Sequence, residues 1–192
     1  MKFKLLITVF CVYPLKGGNF MLIEGKRINL RIVEIGDAAF LLSLRLDPNK
    51  SRHISQVDGD LEKQVKWLTD YKIRESLNRE YYFIIEDKNK NQFGCVRLYD
   101  FIEDSFCWGS WILKDGSPSF MAVESALQVY EFAFYNLKFN KCHFDVRKEN
   151  ASVVAFHERF GAKKVSDDDL NYYFTYSKGD YESIKSRYGK FL

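Results

Sequence analysis

Proline occurs only three times and glycine eleven times among 192 residues, which excludes a Pro- or Gly-rich linker, a collagen-like repeat and a low-complexity chain. No charge of one sign dominates either: 29 Lys and Arg stand against 26 Asp and Glu, a formal net charge of +3. That balance fits neither a disordered acidic or basic tail nor a basic stripe, so nucleic acid is not an expected partner. Long apolar runs are missing as well. The run from Leu5 to Val12 has eight positions, where a bilayer needs about 20, and no membrane attachment is expected. The four cysteines, Cys11, Cys95, Cys107 and Cys142, lie far apart inside apolar stretches, with no C-x-x-C pair and no His at zinc-ligand spacing. They read as small buried hydrophobes in a reducing, cytoplasmic setting, so no metal, disulfide framework or covalent cysteine nucleophile is expected.

What remains is a chain that is 46% hydrophobic and 17% aromatic, enough for one core in a single domain of this size. Residues 1–20 stand apart from it. Lys2 and Lys4 ahead of an apolar run resemble the opening of a short signal peptide, but no small-residue cleavage site follows. The strand pattern starts at Met21 without help from what precedes it. Residues 1–20 are therefore expected to be an N-terminal extension, with an extra strand or a signal as the alternatives, and 21–192 a single domain.

Along that domain, alternation from Arg27 to Val33 predicts a strand, and Gly36-Asp37 opens a helix running to Leu46, where Pro48 ends it. A second helix is predicted over 61–77, with Leu61, Val65, Leu68, Lys72 and Ile73 on its apolar face. Strands follow at Tyr81–Asp87, Phe93–Phe101 and Phe106–Leu113. From Pro118 to Leu137, Phe120, Val123, Leu127, Tyr130, Phe134 and Leu137 recur at helical spacing. Lys141–Arg147 predicts another strand, Asn150 caps a helix ending at Gly161, and Lys163–Ser166 and Tyr172–Tyr176 complete the sheet before a helix over Asp180–Tyr188. The expected class is α/β, with a mixed, mostly antiparallel central sheet of about seven strands flanked by helices.

Three segments in this order carry a family likeness: Leu22 to Arg31, Trp108-Gly-Ser-Trp-Ile-Leu leading into the long helix with Tyr130-Glu-Phe-Ala-Phe, and Asp145-Val-Arg-Lys-Glu-Asn150 followed by Phe156-His-Glu-Arg-Phe-Gly161. Together they resemble the GCN5-related N-acetyltransferase superfamily, in particular its ribosomal-protein and nucleotide-aminosugar branch, over Arg27 to about Tyr176. The resemblance implies acetyl-CoA as co-substrate, transferred to a primary amine by direct attack in a ternary complex. It also implies that Trp111, Ile112 and Leu113 offer a free strand edge to the pantetheine arm. Gly116, Ser117 and Ser119 would cradle the pyrophosphate at a helix start, where unpaired N–H groups favour an anion. The loop departs from the family: Asp115 stands in place of a Gln or Arg, Pro118 lacks an N–H, and Phe120 replaces a small residue.

Asn150 caps its helix by local pattern, and the resemblance implies that it also meets the pantetheine amides. His157 stands where the family often has a tyrosine that protonates the departing sulfur; an ordinary imidazole carries a proton near neutral pH and suits that task, though a packing histidine is the plainer reading. Asp145, five residues before Asn150, stands where some protein acetyltransferases of that superfamily place a glutamate base, so the resemblance implies a general base there, with an ion pair to Arg147 on the same strand face as the alternative. Glu103, Asp104 and Glu124 are further carboxylates that nothing ranks. The expected acceptor is a small-molecule amine such as a nucleotide-linked amino sugar. A protein N-terminus, or a non-catalytic acyl-CoA or nucleotide-sugar binding module, is the alternative. A homodimer is compatible with the sequence.

Overall fold

The computed structural model describes residues 22–51, 53 and 57–192. The expected boundary between residues 1–20 and the domain, the start at Met21 and Cys11 lie outside the described residues. Eight strands form one sheet in the order β1-β2-β3-β4-β5-β6-β8-β7, made of β1 (Leu22–Glu24), β2 (Ile28–Ile32), β3 (Tyr81–Asp87), β4 (Gln92–Ile102), β5 (Ser105–Leu113), β6 (Lys141–Arg147), β7 (Lys163–Asp167) and β8 (Asn171–Ser177). Every neighbouring pair is antiparallel except β5 and β6. The class is the expected one, with one strand more than anticipated.

The extra strand arises because the segment read as one strand from Met21 folds back at Gly25–Arg27. Gly25 suits the close approach there: a Cβ on it would lie 2.8 Å from the Ile28 carbonyl oxygen and would displace the buried Gln128 amide. The turn is seated on the long helix α4 (Phe120–Glu131), where the fully buried Glu124 accepts the backbone N–H of Arg27 at 2.6 Å and of Ile28 at 3.1 Å and pairs with Arg27 Nε at 3.0 Å. Those bonds satisfy Glu124 as a structural clamp, which removes it from the candidate bases.

Helices cover both faces. On one side α4, α5 (Ala151–Arg159) and α6 (Lys178–Lys185) pack over the aromatic core around Tyr130, Phe134 and Tyr176; on the other, α1 (Ala38–Leu46) and α3 (Leu61–Ser76) cover a smaller core around Leu41, Leu68 and Ile84. A central strand between two cores is apolar on both faces. In β3, accordingly, Tyr81, Phe83 and Ile85 enter one core while Tyr82 and Ile84 enter the other. Pro48 does not simply stop α1. Asp47 intervenes, and Pro48 opens the four-residue helix α2 (Pro48–Ser51), a first-turn position that costs no hydrogen bond.

The buried face of α3 is also not the one its aliphatic residues predict. Gln64, Leu68, Tyr71 and Glu75 point inward, while Leu61 and Ile73 are exposed. The reason is polar anchoring: Tyr71 donates its hydroxyl to Glu75 and accepts the backbone N–H of Tyr82 at 2.7 Å, and Lys72 reaches the Val33 carbonyl at 3.2 Å. Beyond Glu131, α4 continues as a π-helical turn over Phe132–Asn136. Among the described residues no helix is long and apolar enough to cross a membrane.

Candidate functional site

A bulge in β5 opens the sheet. Cys95 pairs with Ile112 and Arg97 with Gly109, so two residues of β5, Ser110 and Trp111, oppose Val96 alone, and Ser110 takes a left-handed φ of 47°. An extra residue bends its strand and interrupts pairing. β5 and β6 meet only at Ser105 with Lys141 and Phe106 with Cys142; among the described residues that edge of β5 has no strand partner from Cys107 to Leu113. A wedge results, with unpaired backbone groups along one wall and α5 at its end.

Two cavities fill the wedge. One, of about 330 Å³, lies between β5 and β6 and is lined by Asp145, Asn150 and His157 together with Arg45, Tyr99 and Arg147. The other, of about 390 Å³, lies toward α4 and is bordered by Trp111, Ile112, Leu113, Ala122, Asn150 and Lys50. The structure thus gathers Trp111, Ile112, Leu113, Asp145, Asn150 and His157 around one wedge. Gly116, Ser117 and Ser119 border neither of these cavities. Gly116 turns the chain at φ 75°, and the Ser117 hydroxyl is spent on the Lys114 carbonyl at 2.7 Å. Ser119 caps α4 by position without a side-chain hydrogen bond. Phe120 does not crowd this loop, because its ring lies 3.9 Å beneath the Arg27 guanidinium.

His157 is 4% exposed, packed against Trp108, Trp111, Phe144 and Phe156, and its Nδ1 has no hydrogen-bond partner among the described residues. Burial in that aromatic shell lowers its pKa to about 3. The imidazole is neutral at neutral pH, so the premise that it carries an ordinary imidazolium proton is corrected. Asp145 projects from the exposed face of β6 into the wedge. Among the described residues it forms no ion pair with Arg147. Asn150 fills the capping role, its Oδ1 accepting from Val153 N at 3.4 Å and Ser152 Oγ at 3.1 Å, and it borders both cavities at once. The Trp111 indole N–H is bound to Ser125 Oγ at 3.1 Å, which leaves its backbone as the part facing the wedge. Asp104 pairs with Lys141 at 3.5 Å, away from this site.

Cys107, the thiol in the cleft, is pushed up to about 11 by burial and remains protonated at neutral pH. Cys95 and Cys142 are likewise free, buried and raised. Among the described residues no cluster suits a metal ion.

Three contributors from the far side of the wedge carry no local sequence signal. Arg45 arrives from α1. Lys50 reaches the loop before α4 by pairing with Asp115 at 2.6 Å. His53 borders both cavities, and among the described residues its buried Nδ1 has no hydrogen-bond partner. A free strand edge, the amides at the start of α4, a lysine beside them and the Asn150 amide form a donor set that fits a pantetheine arm ending in a pyrophosphate.

A family model described as an acetyltransferase (GNAT) domain matches residues 27–163. The solved structure of apo FdhC, described as a nucleotide-linked sugar GNAT, is 44% identical, with 89% of this chain and 98% of that chain covered at a TM-score of 0.82. Spermidine N-acetyltransferase from Vibrio cholerae, solved with CoA and spermine, shares the fold at 20% identity and a TM-score of 0.68, covering 81% of this chain and 98% of that one. A dodecameric form of the same enzyme gives 19% and 0.64, with 80% and 95% covered. No curated protein sequence matches the chain.

Proposed function

Because the chain belongs to the GNAT acetyltransferase family, we propose that it transfers an acetyl group from acetyl-CoA to the primary amine of a nucleotide-linked amino sugar. The observation that carries this reading is the wedge between β5 and β6, whose free edge and charged lining suit a thioester and an amine side by side. Pairing of the pantetheine amides with the backbone of Trp111–Leu113 fixes the thioester carbonyl, with Asn150 at the end of the arm and the amides about Gly116, Ser117 and Ser119 toward the pyrophosphate. Asp145 accepts the proton of the incoming ammonium, and the free amine attacks the carbonyl. The proton that nitrogen sheds on forming the amide balances the negative charge on the departing sulfur. His157, held neutral, serves that sulfur as a hydrogen-bond donor and as a dry wall of the cleft. No cysteine takes part, and the three buried free thiols suit a reducing, cytoplasmic setting.

The charge of the cleft supports this acceptor. Arg45 and Arg147 stand with Asp145, a lining that suits neither a polyamine nor the open acidic groove a peptide N-terminus would favour. The test is turnover with acetyl-CoA on nucleotide-linked amino sugars, spermidine and N-terminal peptides side by side. Acetylation of the sugar amine at a kcat/KM at least about a hundredfold above the other two is expected. Preference for spermidine or a peptide would overturn the acceptor assignment.

A further inference from the structure

The acetyl-transfer cleft does not end at Ser110. A second cavity, of about 160 Å³, shares Arg45 and Ser110 with it and is bounded by Gln64, Trp67, Tyr82 and Arg97. A third recess on the outer surface shares Gln64 and Trp67 with the second. Starting where an amine meets the thioester, an acceptor therefore has a path that runs past two arginines to a tryptophan at the surface.

Each wall of that path has a chemical sign. Arg97 stacks over Trp67 at 5.1 Å and Tyr99 at 4.7 Å, and its guanidinium shares the buried carboxylate of Glu80 with Arg74. Two guanidiniums on one carboxylate leave a net positive charge beside the cavity. Arg45 lies close enough to Tyr82 and Cys95 to favour their ionised forms, which sets its charge at the same place. The acids of the outer recess are already engaged: Asp60 caps α3 and Asp58 pairs with Lys63. Gln64 is 8% exposed, yet among the described residues no hydrogen bond reaches its side-chain amide. Gln64 lines both recesses, so its amide is available to a ligand's donors and acceptors there. Trp67 is 36% exposed and braced by Tyr71 and Tyr82, a rigid aromatic surface on an otherwise polar helix.

We propose that this lobe is a nucleoside diphosphate subsite, in which Arg45 and Arg97 hold the diphosphate while Trp67 and Gln64 face the nucleoside. Planar guanidiniums suit phosphate oxygens, an indole suits the face of a base, and an amide reads its polar edge. The subsite rests on the amino-sugar reading above. It places the sugar amine toward Asp145 and the carrier nucleotide away from the coenzyme.

The experiment is calorimetric titration of UDP, dTDP, GDP and inorganic pyrophosphate into the protein held at saturating coenzyme A, which occupies the other ADP-binding surface. At least one nucleoside diphosphate is expected to bind, more tightly than pyrophosphate. Its Kd should rise about tenfold in Arg45→Gln and about fivefold in Trp67→Leu and in Gln64→Leu, while coenzyme A affinity stays within about twofold in the last two. Melting temperatures confirm that each variant is folded, and the Gln64 and Trp67 variants carry the test if the arginine variant is not. Competition between coenzyme A and every nucleoside diphosphate, equal binding of pyrophosphate, or unchanged affinity in the Trp67 and Gln64 variants would overturn the subsite. Failure of the acetyltransferase reading shows separately, as no binding of coenzyme A, and the nucleotide titration is read in either case.

Discussion

A histidine that is neutral by burial leaves a mark on stability. His157 has a folded pKa of about 3 against about 6.5 in an unfolded chain, so the unfolded state binds the extra proton first. Its contribution is fully present above pH 6.5 and is lost as the pH falls toward 3. The carboxylates held low, such as Asp168 at about 2 and Asp180, lose their contribution only below about pH 4, which leaves the window from 6.5 to 4.5 to the histidine. Over that window the wild type should lose about 1.4 kcal/mol per pH unit relative to His157→Phe, read from denaturant midpoints of both proteins at each pH. Parallel curves would mean that the imidazole is solvated. The same neutrality predicts that kcat shows no ionisation belonging to His157. Asp145, in contrast, lines the wedge together with Arg45 and Arg147. Asp145→Asn should lower kcat by about a hundredfold without altering acetyl-CoA affinity; wild-type turnover in that variant would assign the proton to another group.

The clamp between the β1–β2 turn and α4 shows how elements fix the site. Glu124 holds two backbone N–H groups and Arg27, and Gln128 Nε2 donates to the Ile28 carbonyl at 3.2 Å, so α4 is tied to the sheet edge. Glu124→Ala orphans buried donors and should cost about 3–5 kcal/mol in thermal or chemical unfolding. Below its melting temperature the variant should retain the wild-type pH profile, which separates a clamp from a base. Periodicity in the sequence was enough for most elements: β3, β5, β6 and the Asn150 cap fall within a residue of where alternation and capping chemistry put them. It failed where polar side chains chose the geometry. The inward face of α3 follows Tyr71 and Glu75, and the fold-back at Gly25 follows a close contact with Gln128 that lies a hundred residues away. The candidate site divides in the same way. Asp145, Asn150 and His157 were legible because they share one strand–helix unit, whereas Arg45, Lys50, Trp67 and Arg97 converge through tertiary contacts that no local pattern encodes.

At the scale of the whole molecule, charge is nearly balanced, so recognition of an anionic coenzyme depends on where cations are delivered. The loop before α4 carries Asp115 where the family uses an amide or a cation, and the fold compensates from a distance by bringing Lys50 of α2 to 2.6 Å from that carboxylate, beside the cavity that Ala122 and Leu113 border. Both groups are substantially exposed, so their mutual attraction adds little to folding. We propose that its use is electrostatic: the carboxylate holds the ammonium near the α4 amides, where a pyrophosphate would meet both. Lys50→Ala should therefore raise the Kd for coenzyme A about fivefold at low ionic strength, and the difference should shrink as salt screens the pair at a Debye length of about 3 Å near 1 M. Asp115→Asn removes the acid while the cation remains, so its Kd should equal or fall below that of the wild type. Titration calorimetry of both variants at two salt concentrations decides the matter. Weaker binding in Asp115→Asn and unchanged binding in Lys50→Ala would mean that the acid acts through the loop backbone and that the lysine is a bystander.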